Sequence, residues 1–156
     1  MASEERKILE QFLKPLMKEL GFKKQGPTWH RSSADTIEVL NIQGSQWSKN
    51  FYINLGTYFK AIGSDEKPKE YDCHIRQRLC GITDDLNECN STLSFENSIK
   101  LEERESNLKR LVSQFAIPWL EKCATVEGAK NYLLNEKKHG LPVAKQTWEF
   151  LGINHS

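Results

Sequence analysis

From Asp72 to Arg78 the sequence reads Asp-Cys-His-Ile-Arg-Gln-Arg, so Asp72, His74, Arg76 and Arg78 fall on every second position. Side chains two apart on an extended strand share a face, and these four would line one side together. Two guanidinium forks on one face suit a phosphate, a carboxylate-rich surface or a stacked base, because each fork donates two parallel hydrogen bonds. Asp72 beside His74 is the one acid–base pair that the pattern offers. A second run supplies aromatic and amide neighbours. In Asn50-Phe-Tyr-Ile-Asn-Leu-Gly-Thr-Tyr-Phe59, the apolar Phe51, Ile53, Leu55 and Phe59 alternate with Tyr52, Asn54, Gly56 and Tyr58. A regular sheet then puts Tyr52, Asn54 and Tyr58 on one strand face, beside a strand that carries His74, Arg76 and Arg78. Trp47, in the turn just before, is a bulky aromatic at a loop tip, where such residues anchor interfaces.

Each chemistry has a plainer rival. The simplest account of the arginines and tyrosines is a solvated sheet face with cross-strand packing. Base stacking on this face is not expected, since the net charge is +1 and no ribonucleoprotein-type motif accompanies the aromatics. Neighbouring Cys73 and His74 point to opposite sides of a strand, and Cys80 and Cys89 lack a diagnostic spacing, so no metal or other cofactor is expected. Ser45 follows Gly44 without a nucleophile-elbow pattern around it. No residue is assigned a catalytic role, and an enzyme is the less favoured reading.

The elements that must hold these residues follow from composition and period. The 156 residues are 38% hydrophobic and 28% charged, with 22 basic and 21 acidic side chains. That describes one folded domain over residues 1–156 with no global field toward nucleic acid or membranes. The start, Met1-Ala-Ser-Glu-Glu-Arg-Lys, lacks the apolar run of a secretory signal. No stretch nears the roughly 18 apolar residues of a membrane helix. Cys73, Cys80, Cys89 and Cys123 have no framework spacing, and the expectation is a cytoplasmic protein with four free thiols.

Ser3 caps a helix whose stripe is Ile8, Leu9, Phe12, Leu13, Leu16, Met17 and Leu20, with Pro15 expected to kink or split it and Gly21 to end it. Phe22 to Gln25 and Thr28 to Ser32 read as a short strand pair or one broken strand around Gly26-Pro27. Thr36 to Gln46 reads as a strand whose alternation fails at Val39-Leu40, either through a bulge or because both faces are buried. Ala61 to Glu70 is a charged loop, and Gly81 to Ser98 a polar one with one short strand or turn of helix. From Ile99 the helical period returns: Leu101, Leu108, Leu111, Val112 and Phe115 take one face, and Glu102, Glu103, Arg104 and Lys109 the other. Pro118 bends or restarts this helix. Thr125 caps another that Gly140 closes, and Pro142 opens the last.

Trp47, the Phe51-Tyr-Ile-Asn-Leu-Gly56 strand, Tyr71-Asp-Cys-His-Ile-Arg-Gln-Arg-Leu79, Ile117-Pro-Trp-Leu-Glu121 and Leu20-Gly-Phe-Lys-Lys24 come in a characteristic order. In these motifs the chain resembles a bacterial family known as domain of unknown function 4304, from the first helix through Glu121. The resemblance implies a fold and a cytosolic bacterial setting, and no reaction. By analogy alone, small bacterial domains of this type include immunity proteins that neutralise secreted toxins.

The fold expected is α+β, with an N-terminal helix, an antiparallel sheet of four or five strands, and two or three C-terminal helices packed on its apolar face. The function expected is a non-enzymatic cytosolic module that binds a protein through Trp47, Tyr52, Asn54, Tyr58, His74, Arg76 and Arg78. The alternative is an enzyme or ligand-binding domain for a phosphorylated or carboxylated small molecule. Convergent polar groups in a concavity would favour a ligand, and a flat patch a protein.

Overall fold

A computed structural model describes residues 3–136 and 142–154. Helix α1 spans Glu4–Glu19. Ser3 Oγ accepts the Arg6 N–H at its start, and Glu4 and Glu5 lie at the positive end of its dipole. Pro15 lies inside α1, which neither breaks nor splits there. At the other end Phe22 N–H bonds Met17 O and Gly21 N–H bonds Lys18 O, a paired closure that needs the positive φ of +88° at Gly21.

Strands β1 (Lys23–Gln25), β2 (Thr28–Ser32), β3 (Thr36–Gly44), β4 (Phe51–Phe59) and β5 (Ile75–Arg78) form one antiparallel sheet in sequence order. The β3–β4 register runs without interruption from Thr36↔Phe59 to Gly44↔Phe51, so Val39-Leu40 is no bulge; both faces of β3 are buried there.

The inner face carries Trp29, Leu40, Ile42, Phe51, Ile53, Leu55, Phe59 and Ile75 and packs on the helices. These are α1, α2 (Leu86–Thr92), α3 (Leu101–Leu111), α4 (Ile117–Lys122), α5 (Val126–Asn135) and α6 (Lys145–Phe150). Between α3 and α4 the chain widens into a π-helical stretch, Val112–Ala116, and continues without a break into Pro118 at the first turn of α4. The segment 81–98 contains α2 and one bridge, Asn50↔Ser94. Thr125 caps α5 through Gly128 N–H; the expected closure at Gly140 lies outside the described residues. Pro142 precedes α6, whose cap is Ala144, so it does not open that helix.

Two expectations from helical and redox arguments are corrected. Arg104, placed on the solvated face of α3, is 2% exposed. Its guanidinium stacks on Phe95 at 4.2 Å and donates to the carbonyls of Thr92 (2.7 Å) and Ser94 (2.6 Å) and to Asn97 Oδ1 (2.9 Å). A cation at the C-terminus of α2 answers carbonyls that no helical N–H can reach. Cys80 and Cys89 form a disulfide that ties α2 to the turn after β5, leaving Cys73 and Cys123 as buried free thiols. Nine residues apart, the two cysteines meet because the chain turns from the 3-10 turn Leu79–Gly81 back into α2, which no spacing rule shows.

Candidate functional site

The outer face of the sheet is built from the other parity: Thr28 and His30 on β2, Ile37, Val39, Asn41 and Gln43 on β3, Tyr52, Asn54, Gly56 and Tyr58 on β4, Arg76 and Arg78 on β5. Its two halves differ. The segment 60–74 leaves β4, folds back across the sheet and returns as β5. It seals one half. Ile37, Val39, Tyr58 and Cys73 form a small second core there, and Cys73 lies so near Gly56 that a Cβ on that glycine would come within 2.6 Å of Sγ. Burial pushes the Cys73 thiol well up from its ordinary value, so no reactive thiolate forms.

Three polar tethers hold the segment down. His30 Nε2 lies 2.7 Å from Pro68 O, Tyr58 Oη accepts the Asp65 N–H at 3.0 Å, and Arg76 meets the buried Glu70 with two parallel bonds of 3.0 and 3.1 Å. The hydrogen bonds to Glu70 raise the Arg76 pKa above its ordinary value.

The other half stays open as a trough of about 830 Å³. Its floor is a row of amides. Asn41 Nδ2 donates to Thr28 Oγ1 (2.9 Å), and Asn54 Nδ2 donates to Gln43 Oε1 (2.9 Å) and Asn41 Oδ1 (3.3 Å). The walls are His30, Pro68, Glu70, Tyr71 and Arg76 on the side of the folded-back segment, with Gln25 and Pro27 at the β1–β2 turn. Register sets the rim. Gln43 pairs with Tyr52 and Asn54 with Arg78, and the Arg78 guanidinium lies 4.3 Å from the centre of the Tyr52 ring. Trp47, in the β3–β4 turn, is 88% exposed.

The seven residues expected to share one exposed face are thereby divided. Tyr52, Arg78 and Trp47 are exposed. Asn54 is on the expected face but 3% exposed, at the bottom of the trough. Tyr58 is 4% exposed, under the 60–74 segment. Arg76 reaches the trough but is bound to Glu70, so its charge is already answered. His74 precedes β5 and is half-buried, stacked on the Phe59 ring and tilted against that of Tyr58, with Nδ1 accepting the Phe59 N–H at 2.9 Å. Desolvation pulls its pKa down and keeps it neutral. Asp72 is exposed in a 3-10 turn (Glu70–Asp72), and His74 Nδ1 is used by Phe59. The expected Asp72–His74 pair is not formed.

Asn41, Gln43, Thr28, His30 and Glu70 were missed as site residues. A signal for two of them exists in the sequence: along one parity of β3, apolar Ile37 and Val39 give way to Asn41 and Gln43, and the polarity changes where the cover ends. Among the described residues no three His, Cys, Asp or Glu side chains gather as metal ligands. Nor is any described helix long and apolar enough to cross a membrane.

No curated protein and no solved structure matches the chain. The family model described as domain of unknown function (DUF4304) matches residues 13–122, from the middle of α1 to the end of α4, and so covers the whole sheet, the folded-back segment and every residue that lines the trough except Arg6. The chain belongs to that family.

Proposed function

We propose that this protein is a non-enzymatic binding module, that its partner is a protein, and that a protruding segment of the partner enters the outer-face trough. The observation that carries this reading is the open half of the sheet. A concave floor of oriented amides adjoins in register the exposed Tyr52–Arg78 pair, and Trp47 stands exposed in the β3–β4 turn, aromatic and guanidinium groups of the kind that dominate interface energetics. By the criterion set out from the sequence, the concavity and its convergent amides favour the ligand-binding alternative, and the protein reading rests on the exposed aromatic and guanidinium groups. A bacterial immunity protein facing a secreted toxin is the version of this reading that the family resemblance supports by analogy, and a cytoplasmic setting belongs to it. The Cys80–Cys89 bond bears on that setting, because a disulfide in the reducing cytosol must be shielded or transient.

A second reading has its own support. Lys67 and Lys69 line the trough with Arg6, and this basic lining suits a phosphorylated or carboxylated small molecule. Against it, Glu70 lines the same wall and already occupies Arg76.

The test is affinity capture from lysate of the source cells, followed by titration of the purified partner against wild type and a Trp47→Ala/Tyr52→Ala/Arg78→Ala variant. Loss of two or more rim anchors should weaken binding at least about tenfold, with thermal unfolding nearly unchanged. A partner that binds the variant as tightly as wild type would move the site elsewhere. A native mass spectrum of the purified protein that retains a phosphorylated or carboxylated small molecule would favour the second reading.

A further inference from the structure

Basic side chains gather where the folded-back segment faces β1 and β2. Arg6, Lys67, Lys69 and Arg76 line the trough, with Glu70 as its one carboxylate. A second hollow of about 330 Å³ shares Gln25, His30 and Lys67 with the trough, and adds Lys23, Lys24 and Arg31 with Glu66. The two hollows thus carry seven cations and two carboxylates, in a chain whose 22 basic and 21 acidic residues nearly cancel. Four of the seven have partners: Arg31 meets Glu38, Arg76 meets Glu70, and Arg6 and Lys24 divide the single carboxylate of Glu10. Lys23, Lys67 and Lys69 are exposed and form no ion pair with any described carboxylate; Lys69 lies over the Tyr71 ring at 5.7 Å.

We propose that this channel docks an acidic, extended segment of a protein partner, whose carboxylates meet Lys23, Lys67 and Lys69 in that order. Lys67 lines both hollows, Lys23 only one and Lys69 only the other, so the free charges follow one another instead of converging. A compact anion such as phosphate is held best by donors gathered at one point, above all a free guanidinium fork. Here the forks of Arg31 and Arg76 are closed on Glu38 and Glu70. A row of separate carboxylates needs only ammonium groups spaced along it. Nucleic acid has spaced charges too, yet it would set continuous phosphates against Glu66 and Glu70. It would also find no free ring to stack on, since Tyr71 lies under Lys69 and His30 is tied to Pro68. This inference rests on the reading of the trough as the place where a protein segment enters, and it states the charge of that segment.

The full chain, isotope-labelled, is titrated with acetyl-hexaglutamate amide at about 0.01 M salt, where screening reaches about 30 Å, and again at about 0.1 M, where it falls to about 10 Å. Acetyl-hexaglutamine amide, hexathymidylate and inorganic phosphate are titrated in parallel. Saturable amide shifts around Lys23, Lys67 and Lys69 are expected with hexaglutamate, weaker at the higher salt and absent with hexaglutamine. Lys23→Gln/Lys67→Gln/Lys69→Gln should weaken the peptide at least about tenfold. Lys100→Gln/Lys130→Gln/Lys145→Gln removes the same charge elsewhere and should weaken it less than about twofold. Both variants replace exposed residues and should keep the wild-type melting temperature. No saturable shift with hexaglutamate overturns the proposal, as does an equal loss in the two variants, or equal or tighter binding of hexathymidylate or phosphate at these residues. If the purified partner needs Trp47, Tyr52 and Arg78 but not the three lysines, the docking surface stands and only the acidic segment falls. If it needs the lysines and ignores the rim, acidic docking stands and the rim reading falls.

Discussion

Tyr52 and Tyr58 lie on the same face of β4, and Arg76 and Arg78 on the same face of β5, yet the members of each pair have opposite fates. Tyr58 and Arg76 are held by the segment 60–74, through the Asp65 N–H and the Glu70 carboxylate. Tyr52 and Arg78 lie beyond its reach, and their contact is with each other. Nothing in residue type or parity separates them. The difference comes from a loop that returns over one half of the sheet and leaves the other half open. One half of this face is thus covered and tethered, and the other is left open.

The comparison predicts its own ladder of effects. Tyr58→Ala empties a site in the second core and releases one tether, and should cost about 3 kcal/mol or more in a denaturant-unfolding measurement. A loss below about 1 kcal/mol would mean that the segment does not seal that half. Arg76→Ala comes next. Removing a partner from a fully buried pair costs roughly 3–5 kcal/mol, and Arg76 is partly exposed, so about 2 kcal/mol is expected. Glu70→Gln in the same background should restore part of it, because a neutral amide is less costly to leave buried and unpaired.

His74 adds a smaller, pH-dependent term. Its folded pKa is depressed below the ordinary 6.5 by burial, so the unfolded chain takes up a proton first as pH falls. Its contribution is complete above about pH 6.5 and is lost as pH drops through the folded value. His74→Gln retains an acceptor for the Phe59 N–H and should flatten that part of the stability profile between about pH 7 and 5. An identical acid slope in the variant would assign the loss to other groups. At the bottom of the ladder, Tyr52→Ala and Arg78→Ala should each shift stability by less than about 0.5 kcal/mol. A larger loss in either would show the open half to be structural as well.

The alternation of β4 and the helical stripe of α1 were legible from one residue to the next, because secondary structure is a local period. Phe51, Ile53 and Leu55 are buried on the inner face as their parity required. Gly21 and Thr125 mark caps that depend only on neighbours within a turn. The double burial of Val39-Leu40 was legible as well, although not what lay over Val39. The same local logic misjudged Arg104 and Arg76. Each looks like an exposed cation until a distant segment supplies its partner: the carbonyls after α2 for one, Glu70 for the other. The Asp72–His74 pair failed because the strand begins at Ile75, and Asp72 is in a 3-10 turn that no longer obeys a period of two.

Local sequence therefore determined the elements, the antiparallel meander and the two faces of the central strands, since each follows from side-chain direction and spacing along the backbone. Tertiary structure alone decided which half of the outer face is covered, which amides meet at the trough floor, and which two cysteines bond. Those outcomes depend on where a long loop and a seven-residue helix come to rest, and that position is set by packing between residues remote in sequence.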